Sequence, residues 1–318
     1  MNLTQLIERC RDKVADNSSI ANAPKQWSDA QVVRELNSAL FSIWNEAISL
    51  DENFGLSVST AADLGMTFTA ASLAGGILSA RMPKTVGHLK YVEESVESGN
   101  FGKPVDPINF RQFSGFSPTP RFSNTPEDRG FLLGGDGVIH VTRRDTDPNE
   151  SLMRVWYLKR PAPLMRFTAT YVSSSAFSLN LISDVALGRL TLHTNHYSNT
   201  YVTAVANGAS WAGLQDMEYL VAGSGVAVHP TFGMTIDAAT PLPSGSGTAT
   251  FETVPDWPEE HHEYISILAS AQLLEKGSDR AGLVVLQEAA RKKRAEFMTA
   301  LENRQLVKAR EVLFEEDV

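Results

Sequence analysis

Cysteine is nearly absent: the 318-residue chain holds one, Cys10. A single cysteine excludes an intrachain disulfide and any zinc site built on several thiolates. Long hydrophobic runs are missing too. No stretch of about 18 apolar residues occurs, so no membrane-spanning helix is expected. Positive charge is in deficit: 28 Lys and Arg stand against 37 Asp and Glu, a net charge of −9. A general nucleic-acid coat needs clustered basic residues to neutralise phosphates, and this balance argues against one. DNA could still pass nearby without being held. The opening MNLTQLIERCRDKVADN mixes charges and has no apolar centre. It therefore does not read as a signal peptide, and a soluble chain made in the cytoplasm is expected.

Catalytic and metal-binding patterns are lacking as well. His193 and His196 form H-x-x-H, not the H-E-x-x-H that places two ligands on one helix face. On a strand, positions i and i+3 point to opposite faces. His261 and His262 are adjacent and diverge around a helix, which suggests a partner contact or plain surface. His88, His140 and His229 stand alone. No G-x-S-x-G occurs, and AGSG (222–225) and SGSG (244–247) read as loops. SLAGGIL lacks the glycine spacing that cradles phosphates. Asp145 with Asp147, and Glu93 with Glu94, read as solvated loops or strand edges. No catalytic residue, cofactor site or metal site is expected.

Three textures divide what is present. Residues 1–50 read as a helical hairpin. Leu3, Leu6, Ile7, Cys10 and Val14 form the stripe of a first helix, with Cys10 as a core thiol. Ser28 caps a second helix, Gln31 completes a capping box, and Asp29 suits the helix dipole. Val32, Val33, Leu36, Leu40, Ile43, Trp44 and Ala47 follow at helical spacing.

Residues 51–257 are rich in Gly, Ser, Thr, Pro and aromatics. They carry short alternating runs: LKYVEES (89–95), GVIHVTRR (137–144), MRVWYLKR (153–160), RLTLHT (189–194) and TYVTAVA (200–206). In MRVWYLKR, Met153, Val155 and Tyr157 face one way and Arg154, Trp156 and Leu158 the other. FLLGGDGVIHV is a hairpin signal, and ASLAGGILSARM (71–82) is ambiguous. An antiparallel β body is expected.

Residues 258–318 return to helix. Pro258 follows Trp257 at a first helical position, with Glu259 and Glu260 in the first turn. Tyr264, Ile267, Leu268, Ala271 and Leu274 form the stripe, and Gly277 is the stop. A last helix runs from about 279 past 300, then ENRQLVKAREVLFEEDV reads as a tail that orders against a partner. Arg291, Lys292, Lys293 and Arg294 ring one turn, with Glu288 and Glu296 in reach. A hairpin of about 50 residues is too small for a secure core of its own. The expected fold is α+β: N- and C-terminal helices in one bundle, with a large antiparallel β domain inserted between them.

The segment LIERCRDKVADN…KQWSDAQVVRELNSALFSIWNEA resembles the start of tailed-bacteriophage head-to-tail adaptor proteins, also called neck or connector proteins. Trp27, Ser28, Asp29, Leu36, Asn37 and Ala39 carry the match. RMPKTVGHLKYVEES, RVWYLKRPAPL and VPDWPEEHHEYISILASAQLLEKGSDRAG are similar to later segments of the family. Roughly the outer third of the chain carries most of the resemblance, and residues 160–250 are least covered.

The resemblance implies a structural virion protein at the head–tail junction. It would sit in a homo-oligomeric ring of about twelve copies. Its partners would be the portal protein and adjacent neck or tail proteins. Genomic DNA would pass through the channel without specific binding. Gln305, Val307, Lys308, Arg310, Val312, Leu313 and Phe314 would face the portal. Trp27, Leu36, Leu40, Trp44, Trp257, Tyr264 and Leu268 would build the helical core. Two other readings stay open. One is a different tail, baseplate or carbohydrate-binding virion component, using Tyr197, Tyr201, Trp211 and Tyr219. The other is a hydrolase on a β scaffold.

Overall fold

The computed structural model describes residues 1–15, 26–61, 64, 66, 69–70, 77–83, 85–97, 100–107, 130–135, 137–142, 153–173, 176–180, 201–204, 218–220, 232–235, 247–277 and 279–315. In the last helix it describes side chains through residue 303. The architecture is α+β, with helices from both ends of the chain packed together and antiparallel sheets between them in sequence. The chain divides into two compact units. Met1–Phe54, Pro161–Ala222 and Ala227–Val318 form one; Gly55–Arg160 with Gly223–Val226 forms the other.

The first unit holds α1 (Leu3–Lys13), α2 (Asp29–Leu50), α3 (His262–Gly277) and α4 (Arg280–Glu315). Ser28 caps α2 as its sequence predicts. Its Oγ accepts the Gln31 N–H at 3.3 Å, and Gln31 Oε1 accepts the Ser28 N–H at 2.8 Å. Asn2 and Gln5 make the same reciprocal box on α1, each bond 3.0 Å. Gly277 closes α3 at a crowded point, since a Cβ there would lie 3.0 Å from the Trp27 ring and that ring would have to shift by a few tenths of an ångström. No Gly or Pro follows Gly282, and Ala, Leu, Glu, Lys and Arg predominate. These are strong helix formers, so α4 continues through the expected tail as far as Glu315.

This unit also holds a six-stranded antiparallel sheet: β9 (Arg166–Ser173), β10 (Ala176–Asn180), β11 (Tyr201–Ala204), β12 (Glu218–Leu220), β13 (Phe232–Thr235) and β14 (Gly247–Thr253). Its order is β12-β11-β14-β9-β10-β13. The stretch 51–257, read from sequence as one insert, thus contributes to both units.

The second unit is an eight-stranded sheet of β1 (Leu56–Thr60), β2 (Thr69–Ala70), β3 (Ile77–Arg81), β4 (Val86–Glu97), β5 (Asn100–Pro107), β6 (Gly130–Leu133), β7 (Val138–Thr142) and β8 (Met153–Lys159). The order is β1-β8-β4-β5-β6-β7-β3-β2, antiparallel apart from the β5–β6 pair. The β6–β7 hairpin turns through Gly134 and Gly137. Gly137 takes φ +78°, a left-handed value that glycine adopts without a Cβ clash. Met153, Val155 and Tyr157 share the core with Val92, Ile139 and Val141, the face their alternation predicts. Ile77–Arg81 resolves the second half of ASLAGGILSARM as strand. The segments RLTLHT, AGSG and most of SGSG lie outside the described residues.

Candidate assembly surfaces

Within the helical unit α3 is the central element. Tyr264, Ile265, Ile267, Ala269, Ala271, Leu273 and Leu274 are buried on several faces, and α1, α2 and α4 each pack against it. Small residues allow the close approach. Ser266 and Ser270 are fully buried, and Ser270 Oγ lies 2.7 Å from the Ser266 carbonyl and 3.1 Å from Cys10 Sγ. Burial pushes the Cys10 thiol up to about 11, so it stays protonated and inert.

Asn37, one of the residues that carries the family resemblance, ties α2 to the strand entry at Leu164. Its Oδ1 accepts the Leu164 N–H at 2.7 Å. Its amide donates to the Leu164 and Val33 carbonyls, each at 3.0 Å. An apolar side chain here could make none of these three bonds and would leave the Leu164 N–H without this acceptor, which is why a polar side chain sits in this buried position. Arg11, also buried, reaches from α1 to the Trp27 carbonyl (2.8 Å) and the Asp29 carboxylate (2.5 Å), holding the entry to α2.

The basic turn of α4 is mostly paired. Lys293 meets Glu296 at 2.9 Å and Glu263 at 3.6 Å, and Glu263 also meets Lys13 at 3.4 Å. Arg294 pairs with Glu46 of α2, and Arg291 lies 3.7 Å from Glu288. This run therefore ties α1, α2, α3 and α4 together. Hydrogen bonding to Glu296 raises the Lys293 pKa against the opposing effect of burial.

His261 and His262 correct the expectation of plain surface. His261 stacks edge-on to Phe297 at 4.9 Å. His262 is buried: Nε2–H donates to the Trp257 carbonyl at 2.8 Å, and Nδ1 lies 2.9 Å from the Met1 amino nitrogen. Adjacent residues diverge around a helix, but α3 is enclosed on more than one side, so both directions lead inward. Burial, then the nearby positive amino group, lowers the His262 pKa to about 4. Its folded value lies below the unfolded 6.5, so its neutral form stabilises the fold above pH 6.5. That stability is lost as pH falls toward 4. Between pH 7 and pH 5 the loss is expected to be about 2 kcal/mol, checked by urea unfolding at each pH. His262→Gln should flatten that slope; an unchanged slope would remove His262 as its cause. Burial also lowers the His261 pKa, so it acts in the same direction.

Glu93 is a second correction. Expected at a solvated edge, it is buried on β4 beside Arg154 of β8, whose Nε donates to it at 2.6 Å. Burial works to raise its pKa. The nearby Trp156, Arg154 and Tyr91 side chains, Arg154 through both its hydrogen bond and its charge, outweigh this and leave it below the usual carboxylate value.

Leu36, Leu40, Trp44, Trp257 and Tyr264 are buried, while Trp27 and Leu268 are half-buried. The seven portal-facing candidates, Gln305 to Phe314, lie on the helical backbone of α4, and their side chains fall outside the described ones. The described part of α4 packs through Leu286, Phe297 and Leu301, and exposes Val284 (65%) and Val285 (68%). Lys293 and Phe297 are level with Glu263 and His261 at the start of α3. Residues after Leu301 therefore continue past the start of α3, over roughly 20 Å of helix at 1.5 Å per residue.

His193, His196, His229, Tyr197, Trp211, Asp145 and Asp147 lie outside the described residues. Tyr201 and Tyr219 fall on β11 and β12, with their side chains outside them. Among the described residues no group of three or more His, Cys, Asp or Glu could hold a metal ion. No described helix is long and apolar enough to cross a membrane. Sequence reading missed Arg11, Glu93, Glu252 and His262 as buried polar groups. Each has partners far away in the chain, so no local spacing signals it. No protein-family model matches this chain, and no curated protein matches it.

Proposed function

We propose that this chain is a head-to-tail adaptor of a tailed bacteriophage, placed in a ring beneath the portal. The observation that carries the reading is the use of both chain ends in one helical unit. The outer segments that resemble adaptors, residues 6–17, 25–47 and 254–282, include most of α1, α2, α3 and the start of α4, and α1, α2 and α4 pack on α3; the inner two, residues 81–95 and 154–164, belong mostly to the other unit. A long α4 that continues past the start of α3 supplies a projecting element suited to docking in a neighbour. In this reading the last turns of α4 meet the portal, the packed bundle forms the ring, and DNA slides past an acidic protein without being held.

Two measurements test it. Copy number in purified particles, counted against the portal protein, is expected near one to one, on the order of a dozen chains. Several hundred copies would indicate a capsid or tail-tube role, and absence would remove the structural reading. Deleting residues 302–318 is expected to abolish incorporation into particles while the thermal unfolding midpoint stays within a few degrees of the full chain. Normal incorporation of the truncated chain would show that α4 is not the docking element.

A further inference from the structure

We propose that α4 is a hinged arm: it pivots where it joins α3, is clasped to the bundle roughly 20 Å along its axis, and is released when the charges of that clasp are screened. Its seat is thin. Among its described side chains Leu286, Phe297 and Leu301 are the buried ones, whereas α3 is buried on several faces. Val284 and Val285, between the pivot and the clasp, face solvent. Elements with few buried apolar side chains are the ones that open below global unfolding.

The clasp is confined to one stretch. Lys293 reaches Glu263 of α3 at 3.6 Å, and Arg294 pairs with Glu46 of α2. Among the described residues these are the ion pairs of α4 with other helices. Phe297, one turn on, enters the rings of Phe54, Trp257, His261 and Tyr264. The side chains of the two pairs keep between 25% and 58% of their surface in water. Pairs exposed to that degree are weakened by salt, which buried pairs resist. At the other end Gly277 terminates α3 without a side chain, and Asp279 Oδ1 accepts the Gly282 N–H at 3.1 Å. This bond holds α4 as a helix from its first turn, so a swing changes dihedrals at the junction alone.

Both bodies survive the release. Helix α4 spans 36 residues, well beyond the length at which an isolated helix becomes marginal. Glu288 with Arg291 and Lys293 with Glu296 are ion pairs three residues apart within it, and they support the helix without help from the bundle. The other helices do not hang on α4. Helices α1 and α2 each pack directly on α3 and fully bury Leu6, Leu36, Leu40 and Ile43. Phe54 and Trp257 meet each other at 6.2 Å as well as meeting Phe297. With the clasp closed the end of α4 is aimed; with it open the arm swings as a rod. The device rests on the packing of α4 and does not depend on the adaptor reading.

Distances between paired spin labels on the full chain, read by double electron–electron resonance, test it. Ser38→Cys on α2 and Thr299→Cys on α4 give two exposed labelling sites, and Cys10 is buried and does not label. At low salt one narrow distance distribution is expected. In about 1 M KCl, where charges are screened within about 3 Å, a second, longer population should grow roughly threefold to tenfold. Arg294→Glu sets like charges against each other at Glu46, so its longer population should be large at low salt and should shrink as salt is added. Adding Glu46→Arg to Arg294→Glu restores an attractive pair and should return the single distribution. The far-UV helix signal should stay constant throughout, since the arm leaves as a helix. A single distribution under every condition, a longer population that salt does not change, or a loss of helix signal that shows fraying would each overturn the assignment. None of these results bears on copy number in particles.

Discussion

Phe297→Ala is expected to destabilise the helical unit by about 3–5 kcal/mol, the range for removing a fully buried aromatic side chain. Phe297 is 1% exposed and sits where four rings meet. Phe54 and Trp257 lie 6.1 Å away, Tyr264 6.2 Å and His261 4.9 Å. The cavity left by alanine is bounded by rigid rings on three segments: the end of α2, the approach to α3, and α3 itself. Such walls collapse poorly, which places the cost toward the upper part of that range. Urea unfolding should show a lower midpoint with little change in slope. Phe297→Leu should recover more than half of the loss, since most of the volume returns. A loss under about 1 kcal/mol for the alanine variant would mean that α4 is not seated on this cluster. The same substitution bears on the proposed function. The end of α4 can dock elsewhere only if its first half is fixed, and Phe297 and Leu301 are the last buried side chains among the described residues of α4.

The helices were legible in the sequence because their signals are local. Ser28 and Gln31 lie three residues apart and need nothing from the rest of the chain to declare the start of α2. Trp257-Pro258 and Gly277 bracket α3 and the 3₁₀ turn, Glu259–His261, that leads into it in the same way. The alternation of Met153, Val155 and Tyr157 identified the core face of β8, since a strand's period is two whatever it packs against. Cys10 is buried where its helical spacing with Leu3 and Leu6 places it.

The division of the β strands was not legible. Pro161 and Pro163 mark the end of β8 in the sequence, but nothing local says that Pro161–Leu164 carries the chain from the eight-stranded sheet to the six-stranded one. Strand pairing is decided by partners such as Ala169 and Ala249, 80 positions apart. Glu93 and His262 fail to announce themselves for a related reason. A buried polar residue looks like a surface residue until its donors are known, and Arg154 lies 61 positions from Glu93. Asn37 is intermediate: its place in a Leu-Asn-x-Ala run carries a resemblance, but only the Leu164 backbone shows what the side chain does.

Glu252→Ala is expected to cost about 3–5 kcal/mol, the range for breaking a buried ion pair by removing one partner. Glu252 is 0% exposed, between Phe251 and Thr253 on β14. Its carboxylate accepts the Thr4 N–H at 2.8 Å and the Thr4 hydroxyl at 2.5 Å. Arg166 Nε donates to it at 2.7 Å, and an Arg166 terminal nitrogen donates to the Thr4 hydroxyl at 2.7 Å. These bonds close a triangle between α1, β9 and β14. Helix α1 has no acidic residue of its own in its first turn. Glu252 supplies one from 248 positions away, to an N–H that the helix itself leaves unpaired and at the end where its dipole favours negative charge. Arg166 keeps part of its surface in water, so its share of the loss is smaller than that of the buried Thr4 amide. Glu252→Gln retains an acceptor and the side-chain shape but loses the charge, and should cost about 1–2 kcal/mol. A double-mutant cycle with Thr4→Ala, read by urea unfolding, should give a coupling above about 1 kcal/mol. Additive losses would show that the triangle does not hold α1 in place. Coupling of that size would fix the first helix to the sheet of its own unit, so that α1, α2 and α3 move as one body against whatever α4 engages.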